Sequence, residues 1–153
     1  MRRLLAFFCL ATLAAPLSAK DSLGVYSNWA AFRDGDAPRC YAIAKPRGNN
    51  ASAAFASIAT WPRQNIRNQV HIRLSRGAIE GSTIRLRIGR ENFQLAARGR
   101  DAWAQDRRMD AAIVAALRSA STMRVSGRGF SDRYDLDGVA TAMDAAVVGC
   151  AQL

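Results

Sequence analysis

Two short segments in the middle of the chain alternate strictly between apolar and polar residues. In residues 70–75 and 84–89 every second side chain is valine, isoleucine or leucine, and most of the residues between them are polar. An alternation of period two is typical of a β-strand with one face buried and the other in water. Residues 77–82 join the segments and contain two glycines and a serine. The two strands are therefore predicted to pair as a hairpin.

Helical periodicity appears only late in the chain. From Asp106 to Ser121, apolar residues recur at steps of three and four, as in an amphipathic helix. Acidic residues near its start and Arg118 near its end suit the helix dipole. A second helix is predicted from Val139 to Gly149, after a turn at Gly138. Residues 23–32 are predicted to form a strand or an extended segment, and the other predicted strands are 39–44, 93–95, 122–126 and 134–136.

The order of these elements predicts the fold class. Many short strands precede two late helices, and no internal repeat or low-complexity linker divides the chain. We therefore expect an α+β domain, built on an antiparallel β-sandwich or a barrel-like sheet with two α-helices.

The first 19 residues have the pattern of a cleaved signal peptide. Two arginines precede an apolar run from Leu4 to Leu17, and small residues follow it. As a helix the run would extend about 21 Å, which is shorter than the roughly 30 Å of a bilayer core. We predict cleavage after Ala19 and a single domain over residues 20–153 that has no transmembrane segment. The expected location is the periplasm, the outer membrane or the cell exterior.

The predicted domain contains two cysteines, Cys40 and Cys150, because Cys9 lies inside the signal peptide. In an oxidising compartment an even pair is typically bridged. One disulfide would then close a loop over nearly the whole domain, and two buried free thiols are the alternative. The chain has no C-x-x-C spacing and a single histidine, so neither redox nor zinc chemistry is expected. No cofactor or metal is predicted.

The chain is strongly basic, and nearly all of its positive charge comes from arginine. It has 22 lysines and arginines against 12 aspartates and glutamates, and loss of Arg2 and Arg3 leaves 20 against 12, a net charge of +8. Arginine forms planar, bidentate contacts with phosphates and carboxylates. A GC-rich genome also favours arginine and alanine, so charge alone specifies no partner. Nucleic acid is not expected, because no recognition motif is present and an exported protein does not meet it.

The predicted hairpin places three arginines, Arg73, Arg85 and Arg87, on one surface in water. Like charges that face each other across strands destabilise a sheet by about a few tenths of a kcal/mol or more. Such a cluster is easier to understand if an anion occupies it, so these arginines are the candidate anion-binding residues. The candidate partners are lipopolysaccharide, anionic lipid or an acidic protein. A solvated face relieved by Glu80 and Glu91 is the alternative.

A set of short motifs runs in order along most of the predicted domain. They are Gly24-Val25-Tyr26, Trp29, Phe32, Cys40-Tyr41, Lys45-Pro46, Ala102-Trp103-Ala104, Asp106, Ala115-Ala116-Leu117-Arg118, Ser121-Thr122-Met123, Val125, Gly127, Asp132, Tyr134, Leu136, Gly138, Ala142 and Cys150. With these motifs the chain resembles the invasion-associated locus B family of exported alphaproteobacterial proteins. The resemblance implies a periplasmic or surface-associated protein with the cysteine pair bridged, and it brings no established catalytic residues. Residues 49–67 match no motif of that family.

Catalytic and metal-binding arrangements are weakly indicated. A Ser-His-acid triad would have to use His71, which lies on the polar side of a predicted strand. No serine stands in a G-x-S-x-G elbow. Asp132, Asp135 and Asp137 lack the spacing of an EF-hand, so turn and strand-edge roles are expected for them. No catalytic and no metal-binding residue is predicted.

The three tryptophans are predicted to pack in the core, and an exposed platform for sugar rings is the alternative. They are Trp29, Trp61 and Trp103.

These features together predict a non-enzymatic envelope protein that binds an acidic partner through its arginine-bearing sheet face. A small periplasmic inhibitor is the alternative, with a loop such as Asn49 to Ala54 inserted into another protein. An enzyme is the least favoured hypothesis.

Overall fold

The structure, a computed structural model, describes residues 20–48, 53–151 and 153. The predicted signal peptide lies outside the described residues, and so does the part of the candidate inhibitory loop at 49–52. Within the described residues, ten antiparallel strands form a continuous hydrogen-bonded sheet in the order β1-β2-β3-β4-β5-β8-β7-β6-β9-β10. The strands are β1 (Asp21–Tyr26), β2 (Trp29–Asp34), β3 (Arg39–Ala44), β4 (Phe55–Trp61), β5 (Ile66–Arg73), β6 (Ile84–Ile88), β7 (Glu91–Arg98), β8 (Asp101–Trp103), β9 (Thr122–Gly127) and β10 (Phe130–Asp135).

Two helices follow late in the chain, α1 (Arg107–Ser119) and α2 (Val139–Cys150). The helix α2 packs against β1 to β4, and α1 packs mainly against β5. The core therefore lies between one face of the sheet and the two helices. This arrangement confirms the predicted α+β class with two late helices. No helix in the described part of the chain is long and apolar enough to cross a membrane.

The helix α1 begins directly after its capping residue, Asp106. The Asp106 side chain accepts a hydrogen bond from the Met109 backbone N–H at 2.8 Å, and its extended backbone ends the preceding segment. Ile113, Ala116 and Leu117 form the buried stripe. Ile113 and Leu117 belong to the periodic set that predicts the helix from sequence, and the other two members, Met109 and Val114, are half-buried.

The predicted hairpin between residues 70–75 and 84–89 is wrong. The first segment lies in β5, which pairs with β4 and β8, and the second lies in β6, which pairs with β7 and β9. Residues 91–103 fold back as β7 and β8 and separate the two strands. Alternation determines which face of a strand is buried, and it carries no information about the partner strand.

A second difference concerns residues 23–32, which are predicted to form one strand or extended segment. The chain instead turns at Ser27 and Asn28, so that Tyr26 faces Trp29 and two strands result. Ser27 has a φ of +51°. Turns of this kind favour glycine or asparagine at the positive φ, so serine gives a weak turn signal.

The predicted disulfide joins Cys40 on β3 to Cys150 at the end of α2. Their Cα atoms are 5.6 Å apart, and both residues are buried. This separation lies within the usual range for a disulfide. The bond therefore links an early strand to the last helix, as the sequence predicts.

A half-buried carboxylate, Asp110, ties α1 to the sheet. Asp110 Oδ1 accepts a hydrogen bond from the Val70 backbone N–H at 2.8 Å. Burial raises the pKa of Asp110, partly offset by that hydrogen bond, and the nearby Asp106 carboxylate raises it further. The charged form of Asp110 is thus less favourable in the folded protein than in the unfolded chain.

Replacement of Asp110 by asparagine is expected to stabilise the protein at neutral pH. Asparagine keeps an acceptor oxygen for Val70 and removes the half-buried charge. Because the folded pKa is raised, the wild type loses stability as the pH rises from the unfolded pKa through the folded pKa, and it regains this stability on acidification below the unfolded pKa. Denaturant unfolding of both proteins at neutral and acidic pH measures the difference, which should shrink in acid. A less stable D110N at neutral pH would contradict the expected role of burial.

Candidate anion-binding face

Four arginines point outward from β6, β9 and β10. The strand β6 alternates buried isoleucine and leucine with exposed Arg85 and Arg87. The same alternation exposes Arg124 between buried neighbours on β9. Arg133 is likewise exposed between buried residues on β10. The apolar residues on the inner face therefore determine the direction of all four arginines.

Three of these arginines lie directly opposite one another across neighbouring strands. Arg87 is opposite Arg124, and Arg124 is opposite Arg133. On the other side Arg87 is opposite Asn92 of β7. Since neighbouring strands lie about 4.8 Å apart, the three Cα atoms span roughly 10 Å. We refer to Arg87, Arg124 and Arg133 as the arginine row.

The arginine row has no carboxylate partner among the described residues. The one side-chain hydrogen bond of the row within the described residues runs from Arg87 Nε to the Gly89 carbonyl at 3.1 Å. Arg85 beside it also makes no ion pair within the described part of the chain. The ion pairs of arginine lie elsewhere: Arg33 with Asp21, Arg39 with Asp34, Arg47 with Asp135, Arg73 with Asp101 and Arg118 with Asp144.

Arg39 is an arginine whose charge is compensated by neighbouring groups of the fold. Its guanidinium lies 4.9 Å from the centre of the Tyr41 ring and 5.0 Å from that of Trp61. Its Nη2 donates to Asp34 Oδ2 at 3.4 Å. The hydrogen bond from the Ala37 backbone N–H, together with Arg39, holds the pKa of Asp34 below its ordinary value. Such partners neutralise Arg39 within the fold.

The surface beside the arginine row contains a hollow of about 460 Å³. Arg85, Arg87 and Arg124 line it, together with hydroxyl and amide side chains that can also donate hydrogen bonds. No carboxylate is part of this lining. A phosphate offers several acceptor oxygens, so more than one guanidinium can bind it at once. The polar neutral residues of the lining are Asn92, Thr122 and Ser126.

The structure separates Arg73 from Arg85 and Arg87, contrary to the predicted cluster. Arg73 lies on β5, and β8 and β7 stand between it and β6. Its Nη1 donates to both oxygens of Asp101, at 3.1 and 3.2 Å. The charge of Arg73 is therefore neutralised by Asp101. The wrong strand pairing is the cause of the wrong grouping.

Arg124 and Arg133 are the site residues that sequence reasoning misses. Arg124 lies between Met123 and Val125, so the alternation already places it on an outer face. Its position opposite Arg87 depends on the pairing of β6 with β9. That pairing joins segments far apart in the sequence and has no local signal.

His71 is half-buried in an aromatic cluster on the outer face of β5. Its ring stacks on Trp103 with centroids 5.4 Å apart, and the Phe55 ring meets its edge at 5.3 Å. His71 Nε2 lies 2.9 Å from Asp101 Oδ1. Ser57, which faces His71 across the strands, donates to the His71 backbone carbonyl at 3.4 Å. The serine hydroxyl is thus engaged with backbone rather than with the imidazole.

The three aspartates near the end of the chain have separate environments. Asp132 is buried and accepts a hydrogen bond from the Ser75 backbone N–H at 2.9 Å. Asp135 forms an ion pair with Arg47, and Asp137 is exposed. Among the described residues, no three His, Cys, Asp or Glu side chains are grouped so that they could hold a metal ion.

The tryptophans divide between the core and the surface. Trp29 is fully buried, and its Nε1 donates to the Asp135 carbonyl at 2.8 Å. Trp61 lies beside Arg39, and both Trp61 and Trp103 are half-buried on the outer face of the sheet. The core prediction is therefore right for Trp29, while the other two remain accessible in part.

A scan against protein-family models finds no match, and searches of curated proteins and of solved structures find none either. The resemblance to the invasion-associated locus B family stays a prediction from the sequence. The function therefore has to be inferred from the geometry and charge of the site.

Proposed function

We propose that the protein is a non-enzymatic envelope protein that binds a phosphate-bearing lipid surface through the arginine row. The observation that carries the proposal is the direct opposition of Arg87, Arg124 and Arg133 without a carboxylate partner in the described part of the chain. The signal-peptide pattern and the disulfide support a location outside the cytoplasm. Lipopolysaccharide and anionic phospholipids supply phosphate groups in that location.

The guanidinium groups of the arginine row repel one another. Like charges directly opposite each other across strands destabilise a sheet. The arginine row contains two such pairs. A phosphate between the guanidinium groups replaces repulsion by charge-assisted hydrogen bonds, which are about twice as strong as neutral ones. Binding of a phosphate would therefore also remove the repulsion between the arginines of the row, which is present in the free protein.

Retention on anionic vesicles tests this proposal. The variant R87Q/R124Q/R133Q removes the arginine row. The control R63Q/R107Q/R108Q removes three exposed arginines at other places, so it has the same net charge as the row variant. Each arginine close to an anionic membrane contributes about 1 kcal/mol. The row variant should therefore bind vesicles that contain phosphatidylglycerol about 100-fold more weakly than the wild type.

The control should stay within about threefold of the wild type, because overall charge acts weakly beyond a Debye length. An increase from about 50 to about 200 mM salt should weaken wild-type binding strongly and row-variant binding little. Equal losses in the row variant and the control would show that net charge, and not the row, causes binding. Unchanged retention of the row variant would reject the proposal.

A further inference from the structure

The arginine row borders a second hollow on the side away from β6. This hollow measures about 120 Å³, and Arg47, Arg124, Arg133 and Asp135 are among its lining residues. Arg124 and Thr122 line both hollows. The larger hollow thus lies over β6 and β9, and the smaller one lies over β9 and β10, with Arg124 between them.

The second hollow keeps a positive charge although it contains a carboxylate. Asp135 forms its ion pair with Arg47. Arg124 and Arg133 then remain without an acidic partner in the described part of the chain. A single phosphate in the first hollow would contact Arg85, Arg87 and Arg124, and it would leave Arg133 uncompensated. A second anionic group near Arg133 would complete the row.

We propose that the two hollows are two phosphate subsites, and that the ligand is a lipid headgroup in which a short bridge joins two phosphates. This inference rests on the proposed function. The subsites lie about one to two strand spacings apart, roughly 5–10 Å. Two phosphates joined through a glycerol, as in the cardiolipin headgroup, lie at a distance of this size. The arginines stand on an exposed sheet face, so a membrane surface reaches them directly.

Vesicles that contain either cardiolipin or phosphatidylglycerol, at equal phosphate content, test this inference. The wild type should bind the cardiolipin vesicles at least about tenfold more tightly. Arg133→Gln should abolish this preference, because Arg133 lines the second hollow and not the first. Arg85→Gln has the same net charge as Arg133→Gln, and Arg85 lines the first hollow and not the second. It should weaken binding to both lipids by the same factor and keep the preference.

Equal binding of the wild type to both lipids would overturn the two-subsite inference and leave the proposed function intact. Retention of the preference for cardiolipin by R133Q would also overturn the two-subsite inference. No binding of the wild type to either kind of vesicle would reject the proposed function itself. A soluble arm uses glycerol 1-phosphate and glycerol 1,3-bisphosphate, whose binding is measured by calorimetry. If binding of the bisphosphate depends on Arg133 while vesicles show no preference, the ligand is a soluble bisphosphate and the lipid assignment is wrong.

Discussion

Removal of the Cys40–Cys150 disulfide is expected to lower the free energy of unfolding by about 4–5 kcal/mol. The cysteines are 110 residues apart in sequence, so the bond restricts most of the unfolded domain. In the chain-entropy description a loop of this length gives a stabilisation of that size. In the folded protein the same bond holds the end of α2 against β3.

Denaturant unfolding of the oxidised protein, the reduced protein and the variant C40A/C150A measures the effect. The reduced protein keeps both sulfur atoms and loses only the link, so its loss reports the link alone. The variant should lose somewhat more, because Cys40 is fully buried and its truncation leaves a small cavity. An unfolding midpoint that reduction does not shift would mean that the link contributes little to stability.

Replacement of Gly138 by alanine is expected to cost about 3 kcal/mol or more. Gly138 caps the start of α2 with a φ of +85°, which already costs an L-residue about 1–2 kcal/mol. A Cβ at this position would also lie 1.9 Å from the Tyr26 carbonyl oxygen. The backbone of the β1–β2 turn would have to move away, and overpacking of this kind costs about 1–3 kcal/mol.

Gly81→Ala is the matched control for Gly138→Ala. Gly81 has a φ of +75°, and a Cβ there would meet nothing within 4 Å. The control therefore carries the backbone strain without the clash, and it should cost about 1 kcal/mol. Thermal or denaturant unfolding of both variants separates the two contributions. Equal losses in G138A and G81A would contradict the close approach of Gly138 to Tyr26.

Local patterns of the sequence predict the elements and their faces well. The helix predicted from Asp106 to Ser121 is observed at Arg107–Ser119, because a capping aspartate and an apolar stripe are both local signals. The helix predicted from Val139 to Gly149 is observed at Val139–Cys150. On β6, the buried isoleucines and leucine and the exposed arginines follow directly from the alternation.

The candidate site is only partly predictable from the sequence. Arg85 and Arg87 are assigned to an outer face, and the structure places them there. The assignment of Arg73 to the site is wrong, because the neighbours of a strand residue depend on which strands pair. In the sheet, β7 and β8 lie between β5 and β6. Arg124 becomes a site residue for the same reason, since β9 pairs with β6. Such pairings depend on the packing of the whole sheet and not on the residues of one strand.

Titration of the isotopically labelled protein with inorganic phosphate, followed by NMR, tests most directly that anions bind at the arginine row. The backbone amides of β6, β9 and β10 and the Nε–H groups of Arg87, Arg124 and Arg133 should shift as phosphate is added, and the shifts should saturate. Signals of Arg73 and Asp101 should stay in place, because that pair is already neutralised. Shifts centred on Arg73, or shifts spread evenly over all arginines, would contradict binding at the row.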